Sequence, residues 1–252
     1  MTAQLEELLG GFSPIGLDEL DARAALLHRI DTKYVVAWDD FEALCGELRR
    51  DHEILEIDGL REFAYASVYF DTSDLRCYWD HVEDRLPRFK ARTRLYADTG
   101  RCVFEVKLKL DEQELDKRQR PREPDECDSI TSADADFLRS TLRERGLRLA
   151  DPLEPSLRTG FRRITLAPRE RKDRLTCDVG VELSRDGAAV RLEPGFVVVE
   201  TKSEDGRSPA DSVLAGRGVE PISLSKYRMG IELLEHPPAT EPPPQAARYF
   251  SG

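Results

Sequence analysis

The residues of this 252-residue chain best suited to chemistry are lysines and arginines that alternate with apolar residues. Two such runs, 88–96 and 103–110, are separated by an Asp-Thr-Gly turn signal. Because successive side chains of a β-strand point to opposite faces, each run places its charges on one face. The charged positions are Lys90, Arg92 and Arg94 in the first run, and Glu105, Lys107 and Lys109 in the second. Such a face can bind the oxygens of a multivalent anion.

The same separation of polar and apolar residues recurs in segments 174–183 and 196–202. Their polar positions include Arg174, Thr176, Asp178, Glu182, Glu200 and Lys202. An antiparallel sheet with one face in water would explain this pattern, and that alternative stays open. However, neighbouring like charges repel, and cations enclosed by a closed sheet need water, a bound anion or both. A cationic tunnel for a polyphosphate-like chain meets that requirement.

The elements that must position these residues follow from periodicity and turn signals. Helical spacing is found in 17–28, 40–50 and 131–145, whereas 226–234 fits either a helix or a strand. Strand patterns are found in 29–36, 65–71, 88–96, 101–110, 160–166, 174–183, 189–192 and 196–202. We therefore predict an α+β fold with a closed antiparallel β-barrel tunnel of about eight strands, a polar, basic lumen and flanking helices.

Length and composition set the domain organisation and the class of protein. We predict an N-terminal helical segment at 1–28, a tunnel domain at 29–236 and a disordered, proline-rich tail at 237–252. A formal net charge of -11 argues against nucleic acid as a partner. No apolar run reaches the ~18 residues that cross a bilayer, and the start of the chain lacks a signal peptide pattern, so we expect a soluble, cytoplasmic protein. Five scattered cysteines indicate reduced thiols without disulfides or a thiolate zinc site.

Eight short motifs follow one another from about Arg29 to Met229. They are Arg29-x-Asp31-x-Lys33-Tyr34, YFDT at 69–72, Lys90-x-Arg92-x-Arg94-x-Tyr96, FEVK at 104–107, Phe161-x-Arg163, Arg174-Leu-Thr-x-Asp178, VVVETK ending at Lys202, and Ser225-Lys226-Tyr227. In this order they resemble the polyphosphate polymerase (VTC) domain of the triphosphate tunnel metalloenzyme superfamily. Each motif alone is weak, and their common order carries the resemblance.

The resemblance implies an enzyme that transfers the γ-phosphate of ATP onto a growing inorganic polyphosphate chain in a basic tunnel and releases ADP. The cofactor it implies is Mn²⁺ or Mg²⁺. The family's phosphate-binding positions correspond to Lys33, Arg92, Arg94, Lys107, Arg163 and Lys226, with supporting positions at Arg174, Lys202 and Lys117. Its metal-binding glutamate corresponds to Glu200. Glu105 is either a further metal ligand or an ion-pair partner of Lys107 or Arg94, and Tyr34 and Tyr227 are interpreted as structural.

The first strand departs from the pattern of related triphosphatases, which resembles Glu-x-Glu-x-Lys. This chain has Arg29 and Asp31 before Lys33, so one acid is replaced by a cation and the other is one methylene shorter. Losing an acid pair removes one way to orient water, which favours transfer over hydrolysis. A metal-dependent tripolyphosphatase or nucleoside triphosphatase and a non-catalytic polyphosphate-binding module remain the alternatives. A membrane-protein partner is left open.

Overall fold

A computed structural model describes residues 2–23, 30–111, 115–235 and 245–252. The α-helices within these residues are α1 Thr2–Gly10, α2 Leu17–Arg23, α3 Trp38–Leu48, α4 Arg76–Val82, α5 Ser132–Glu144, α6 Pro209–Gly216 and α7 Lys226–Glu235. The β-strands are β1 Ser13–Ile15, β2 Ile30–Ala37, β3 His52–Leu55, β4 Phe63–Asp71, β5 Arg88–Tyr96, β6 Arg101–Lys109, β7 Leu115–Arg122, β8 Glu154–Pro168, β9 Arg174–Arg185, β10 Ala188–Leu192, β11 Phe196–Ser203 and β12 Phe250–Ser251. Two 3-10 helices span Pro124–Glu126 and Gln245–Tyr249.

One large sheet contains all twelve strands. One path of eight strands runs β7-β6-β5-β4-β8-β9-β11-β2, and every pair along this path is antiparallel. The long strands β8 and β9 allow the sheet to branch: β3 also pairs with β8, and β10 with β9. The prediction of an α+β fold with a large antiparallel sheet is confirmed.

The predicted closure of the sheet into a barrel is not confirmed. Strands β2 and β7 lie at the two ends of the eight-strand path, and within the described residues no hydrogen-bonded ladder joins them. Strand β2 nevertheless lies near β6 across the interior. Asp31 and Lys33 on β2 act electrostatically on Lys107 of β6, the neighbour of β7.

Helices cover the apolar faces of the strands. Phe104, Val106 and Leu108 of β6 are buried with residues of α5, and Val197 and Val199 of β11 pack with residues of α3 and α6. Because side chains alternate along a strand, the charged residues of β6 and β11 must point away from these helices. The helices thus position the charged faces towards the interior of the curved sheet.

Local signals explain the main boundaries. Gly100, with φ of 64°, ends the turn between the paired strands β5 and β6, where the left-handed conformation favours glycine. Thr131 and Asp134 form a capping box at the start of α5, since each side chain accepts a hydrogen bond from the other residue's backbone N–H. Segment 226–234, left open between helix and strand, belongs to the helix α7.

Two expectations from the sequence are corrected. Residues 245–252 of the tail predicted to be disordered form a 3-10 helix and the strand β12, which pairs with β10. Cys102 and Cys127 form a disulfide, whereas Cys45, Cys77 and Cys177 are free and buried.

The predicted boundaries at 28–29 and 236–237, together with the motif residue Arg29, lie outside the described residues. In the described part of the chain, no helix has the length and apolar character needed to cross a bilayer.

Candidate active site

The inward faces of the strands line a cavity of about 500 Å³. Its cations are Lys33, Arg88, Lys90, Arg92, Arg94, Lys107, Lys109, Lys117, Arg163, Arg174, Lys202 and Lys226, and its carboxylates are Asp31, Glu105, Asp178 and Glu200. Twelve cations against four carboxylates leave a surplus of eight positive charges. This surplus lies inside a chain whose formal net charge is -11, so the cavity is a local site for anions.

All eleven site residues predicted from the sequence line this cavity. We divide the lining into two walls. The carboxylate wall consists of Asp31, Lys33, Arg163, Arg174, Asp178, Glu200, Lys202 and Lys226, on β2, β8, β9, β11 and the start of α7. The cation wall consists of Arg88, Lys90, Arg92, Arg94, Glu105, Lys107, Lys109 and Lys117, on β5, β6 and β7. Their roles in binding a substrate stay predictions.

Asp178 organises one half of the carboxylate wall. The guanidinium of Arg163, directly opposite on β8, donates from Nε to Oδ1 at 2.6 Å and from Nη2 to Oδ2 at 2.8 Å. The Nζ of Lys226 donates to Oδ2 at 2.6 Å. Burial raises the pKa of the Asp178 carboxyl, but the charges of Arg163 and Lys226 outweigh burial and lower it to about 2. Asp178 therefore stays ionised and fixes two of the predicted phosphate-binding cations.

Glu200 organises the other half. Its Oε2 lies 2.9 Å from Nζ of Lys202, and its Oε1 lies 3.5 Å from Nζ of Lys33, its cross-strand neighbour on β2. Burial raises the pKa of Glu200, but Lys202 and Lys33 bring it well below its usual range. The predicted metal ligand is thus an ionised carboxylate held between two lysines.

The cation wall contains a single carboxylate, Glu105, which is 2% exposed. It accepts a hydrogen bond from Nη2 of its cross-strand neighbour Arg92 and another from Nε2 of Gln119 at 2.6 Å. Of the two interpretations of Glu105, the structure therefore provides an ion pair, but with Arg92 rather than with Lys107 or Arg94. Burial raises the pKa of Glu105, whereas Arg92 and Arg94 lower it to about 2.

Two predicted cations on this wall have no carboxylate in contact. Arg94 donates from Nε to Oγ of Ser67 at 3.3 Å, and burial followed by repulsion from Arg92 and Arg163 lowers its pKa. Lys107 makes no hydrogen bond or ion pair within the described part of the chain. Within the described residues neither side chain contacts a carboxylate, although Asp31 and Glu200 act on Lys107 from a longer distance. Both cations are therefore available to a bound anion.

Aromatic rings support several of the cations, and the sequence interpretation had not assigned them to the site. Tyr96, Tyr65 and Phe161 are cross-strand neighbours on β5, β4 and β8. The guanidinium carbon atoms of Arg94 and Arg163 lie 5.4 and 5.2 Å from the ring centre of Tyr65. Such distances are those of cation–π contacts. The alternation of charged and apolar residues gives no signal for this arrangement, because it depends on which strands are neighbours.

The remaining predicted residues lie towards the margins or outside the cavity. Arg174 donates from Nη2 to Asp21 Oδ1 at 2.9 Å, and Lys117, with a side chain 49% exposed, lies 4.0 Å from Glu105. Tyr34 and Tyr227 do not line the cavity. Their hydroxyl groups donate to Asp211, which belongs to the capping box of α6, and to Asp71, the last residue of β4. Asp71 also accepts hydrogen bonds from the backbone N–H groups of Cys77 and Tyr78 in α4, so both tyrosine contacts are in keeping with the structural interpretation.

The residues present fit a divalent cation only if substrate oxygens complete its coordination. The described residues contain no cluster of three His, Cys, Asp or Glu side chains that could hold a metal ion. Mg²⁺ is commonly bound through one or two carboxylates together with substrate phosphates. Glu200, ionised and facing the cavity, is suited to that role, and the buried Oγ1 of its cross-strand neighbour Thr176 has no hydrogen-bond partner.

The fold and the cavity define a protein suited to holding a polyanion inside a curved antiparallel sheet. The family model of the VTC domain matches residues 28–235, and the chain belongs to the VTC domain family. No curated protein matches the sequence.

Three solved structures match the chain at low sequence identity. One is HpAC1 from Hippeastrum, a proposed adenylyl cyclase with a dominant triphosphatase activity. It is 17% identical, with a TM-score of 0.49 over 81% of this chain and 95% of that chain. A conserved hypothetical protein from Pyrococcus furiosus is 16% identical, with a TM-score of 0.41 over 79% of this chain and 98% of that chain. The protein PH1012 from Pyrococcus horikoshii is 14% identical, with a TM-score of 0.42 over 79% of this chain and 97% of that chain.

Proposed function

We propose that the protein is a polyphosphate polymerase, which transfers the γ-phosphate of ATP onto the end of an inorganic polyphosphate chain and releases ADP. The observation that carries this proposal is the surplus of eight cations around one cavity of an acidic chain that belongs to the VTC domain family. In this proposal β2 and β7 enclose a tunnel around the chain. ATP and polyphosphate are the ligands, nucleic acid is not, and the reaction takes place in the cytoplasm.

The reaction requires positioning and charge neutralisation more than covalent work by the protein. An oxygen of the terminal phosphate attacks the γ-phosphorus in line, and the bond to the oxygen that bridges to the β-phosphate breaks. The arginines can each bind two phosphate oxygens through a planar fork, whereas the lysines act as point charges. Asp178 holds Arg163 and Lys226 in place before the substrate arrives, so less ordering remains for the bound state.

Transfer is favoured over hydrolysis by the state of the carboxylates. The pKa values of Glu105 and Asp178 are lowered to about 2, and that of Glu200 is lowered well below its usual range. Carboxylates of such low basicity are poor acceptors for a proton from water. A terminal phosphate is already anionic at neutral pH and requires no such base.

Mn²⁺ or Mg²⁺ is part of the proposal, with Glu200 as its protein ligand. When bound, the ion would neutralise charge on the transferred phosphate and its neighbour. Lys33 and Lys202 would then bind phosphate oxygens in place of Glu200, because both ammonium groups already border the cavity.

The test is incubation of the purified protein with ATP and Mn²⁺, with separation of products on a gel and measurement of ADP and free phosphate. The expected result is a ladder of polyphosphate chains with a matching amount of ADP. Lys172→Met, which changes an exposed lysine outside the cavity, is the control and should be as active as the wild type. Free phosphate equal to ADP without a ladder would instead identify a hydrolase. No turnover together with tight polyphosphate binding would identify a binding module.

A further inference from the structure

Lys90 lines the cavity and begins one of the sequence motifs, but it is not among the predicted site residues and the proposed reaction assigns it no role. It lies on β5 directly opposite Lys107 of β6, and Lys107 lies opposite Lys117 of β7. Three lysines therefore form a row across three strands, from inside the cavity to its half-exposed margin. Cross-strand neighbours of like charge repel each other, so an anion bound between Lys90 and Lys107 would relieve their repulsion.

The immediate surroundings of Lys90 supply no carboxylate. Its Nζ donates to Oγ of Ser225 at 3.1 Å, and the described residues place no carboxylate oxygen within 4 Å. The groups that face it are cationic or neutral. They are Arg88 and Arg92 on β5, Lys107 on β6, Cys77 and His81 on α4, and Ser225 and Lys226 at the start of α7.

Ser225 sets the position of Lys90. Its Oγ accepts hydrogen bonds from Nζ of Lys90 at 3.1 Å and from the backbone N–H of Arg228 at 3.4 Å, while its C=O accepts from Met229. Ser225 is thus fixed by the first turn of α7 and holds the ammonium group against the cavity. The positive end of the helix dipole adds to the field of the lysines.

We propose that Lys90 and Lys107, with Ser225 as the positioning residue, form a phosphate subsite of the cavity that takes one phosphate group of inorganic polyphosphate. This inference rests on the proposed function for the identity of the ligand. A phosphate between the two ammonium groups would accept a charge-assisted hydrogen bond from each. Within the described residues no carboxylate contacts either ammonium group, in contrast to Arg163 and Lys226, which Asp178 already binds. Asp31 and Glu200 act on Lys107 only from a longer distance.

Binding of a phosphate group in this subsite changes the protonation state of Lys90. Burial, followed by repulsion from Lys107 and Arg88, lowers the pKa of Lys90 to about 7, so about half of the molecules carry a neutral Lys90 at that pH. A bound phosphate favours the ammonium form and raises this pKa. Binding should therefore take up about half a proton at pH 7, and affinity should fall as the pH rises above 7.

The experiment is isothermal titration of the metal-free protein with tripolyphosphate at pH 7, in two buffers of different ionisation enthalpy. Lys90→Met should bind about tenfold more weakly or worse and lose the proton uptake, whereas Lys172→Met should match the wild type in both. In Lys90→Arg the guanidinium stays charged at pH 7 and above, so this variant should bind tripolyphosphate within about threefold of the wild type without the proton uptake. It also provides the test if Lys90→Met does not fold.

The outcomes separate this inference from the proposed function. Unchanged affinity and proton uptake in Lys90→Met would overturn the subsite. Weaker binding by Lys90→Met in a protein that makes no polymer from ATP would support the subsite and overturn the polymerase. A wild-type protein that does not bind tripolyphosphate would overturn both.

Discussion

The two walls of the cavity differ in how they carry positive charge. The carboxylate wall sets five cations against three carboxylates, and the cation wall sets seven cations against Glu105 alone. The contrast is clearest at Tyr65, whose ring is contacted by one arginine from each wall, Arg94 and Arg163. Arg163 is bound through two nitrogens by Asp178, whereas the hydrogen-bond acceptor of Arg94 among the described residues is a serine.

This difference indicates that the two walls contribute to anion binding in different ways. Cations that are held by carboxylates have a fixed geometry before any ligand binds, at the cost of part of their attraction for anions. Cations without such partners keep their hydrogen-bond donors available for an anion, but they repel one another until an anion arrives. In the proposed reaction, the first wall would therefore position the reacting phosphate, and the second would supply affinity for the polyanion.

The largest expected effect is that of Glu200→Gln on turnover. Removal of the proposed metal ligand should lower ADP formation about 100-fold or more. Binding of tripolyphosphate in the absence of metal should persist, because the substitution removes a negative charge from the cavity. Both are measured with purified protein over a range of Mn²⁺ concentrations. The control is Glu182→Gln, since Glu182 pairs with Arg191 outside the cavity and should be dispensable. Wild-type turnover in Glu200→Gln would show that the metal assignment is wrong.

Arg163→Met and Arg94→Met test the two walls at the same aromatic ring. Arg163→Met should lower the free energy of unfolding by about 3 kcal/mol, because Asp178 loses its bidentate partner in a buried position. Arg94→Met should leave the stability unchanged or raise it, since burial and repulsion from Arg92 and Arg163 disfavour its charge. Urea unfolding without ligand measures both. Equal losses in the two variants would remove the distinction between the walls.

The carboxylate wall also predicts a loss of stability in acid. The folded pKa of Asp178 is lowered to about 2, so its contribution is complete above its unfolded pKa, near 3.9, and is lost as the pH falls through the folded value. The stability difference between wild type and Asp178→Asn should shrink by roughly 2 kcal/mol between pH 5 and pH 2. Asp136→Asn, on the exposed surface of α5, should follow the wild type at every pH. A constant difference for Asp178→Asn would contradict the pairing.

The smallest effect is expected at the margin of the cation wall. Lys117→Met should weaken tripolyphosphate binding by less than about threefold at 0.15 M salt and by more at 0.02 M, because the side chain is half-exposed and its charge is screened. Titrations at the two salt concentrations measure this. A tenfold loss at 0.15 M salt would place Lys117 among the enclosed phosphate-binding residues.

The sequence predicted which residues face the cavity because strand periodicity is a local property. Arg92 and Arg94, or Glu200 and Lys202, share a face as soon as their segments are strands. The partner of each charge is not local. Asp178 meets Arg163 across β8 and β9, whose register shifts between Gly160 and Arg162, and no count along the chain specifies such a shift.

Other differences between expectation and structure have similar physical causes. The Arg92–Glu105 pair follows from the short turn between β5 and β6, because the length of a hairpin turn sets which residues lie opposite each other. The alternation of faces along one strand does not contain this information. The order of residues 245–252 depends on pairing of β12 with β10, whereas the prediction of disorder rested on local composition. The Cys102–Cys127 disulfide joins two positions 25 residues apart that the fold brings together.

The concentration of positive charge in the cavity also determines the net charge of the rest of the protein. Since the whole chain carries -11 and the cavity lining carries eight positive charges in surplus, the rest of the protein carries -19. A polyanion that approaches from most directions is repelled, and attraction begins only near an opening to the cavity. Wide polyanions such as duplex DNA would meet the acidic exterior alone. A thin, flexible chain of phosphates could be drawn in by one end, so the same field that keeps copies of the protein apart would also discriminate between polymers.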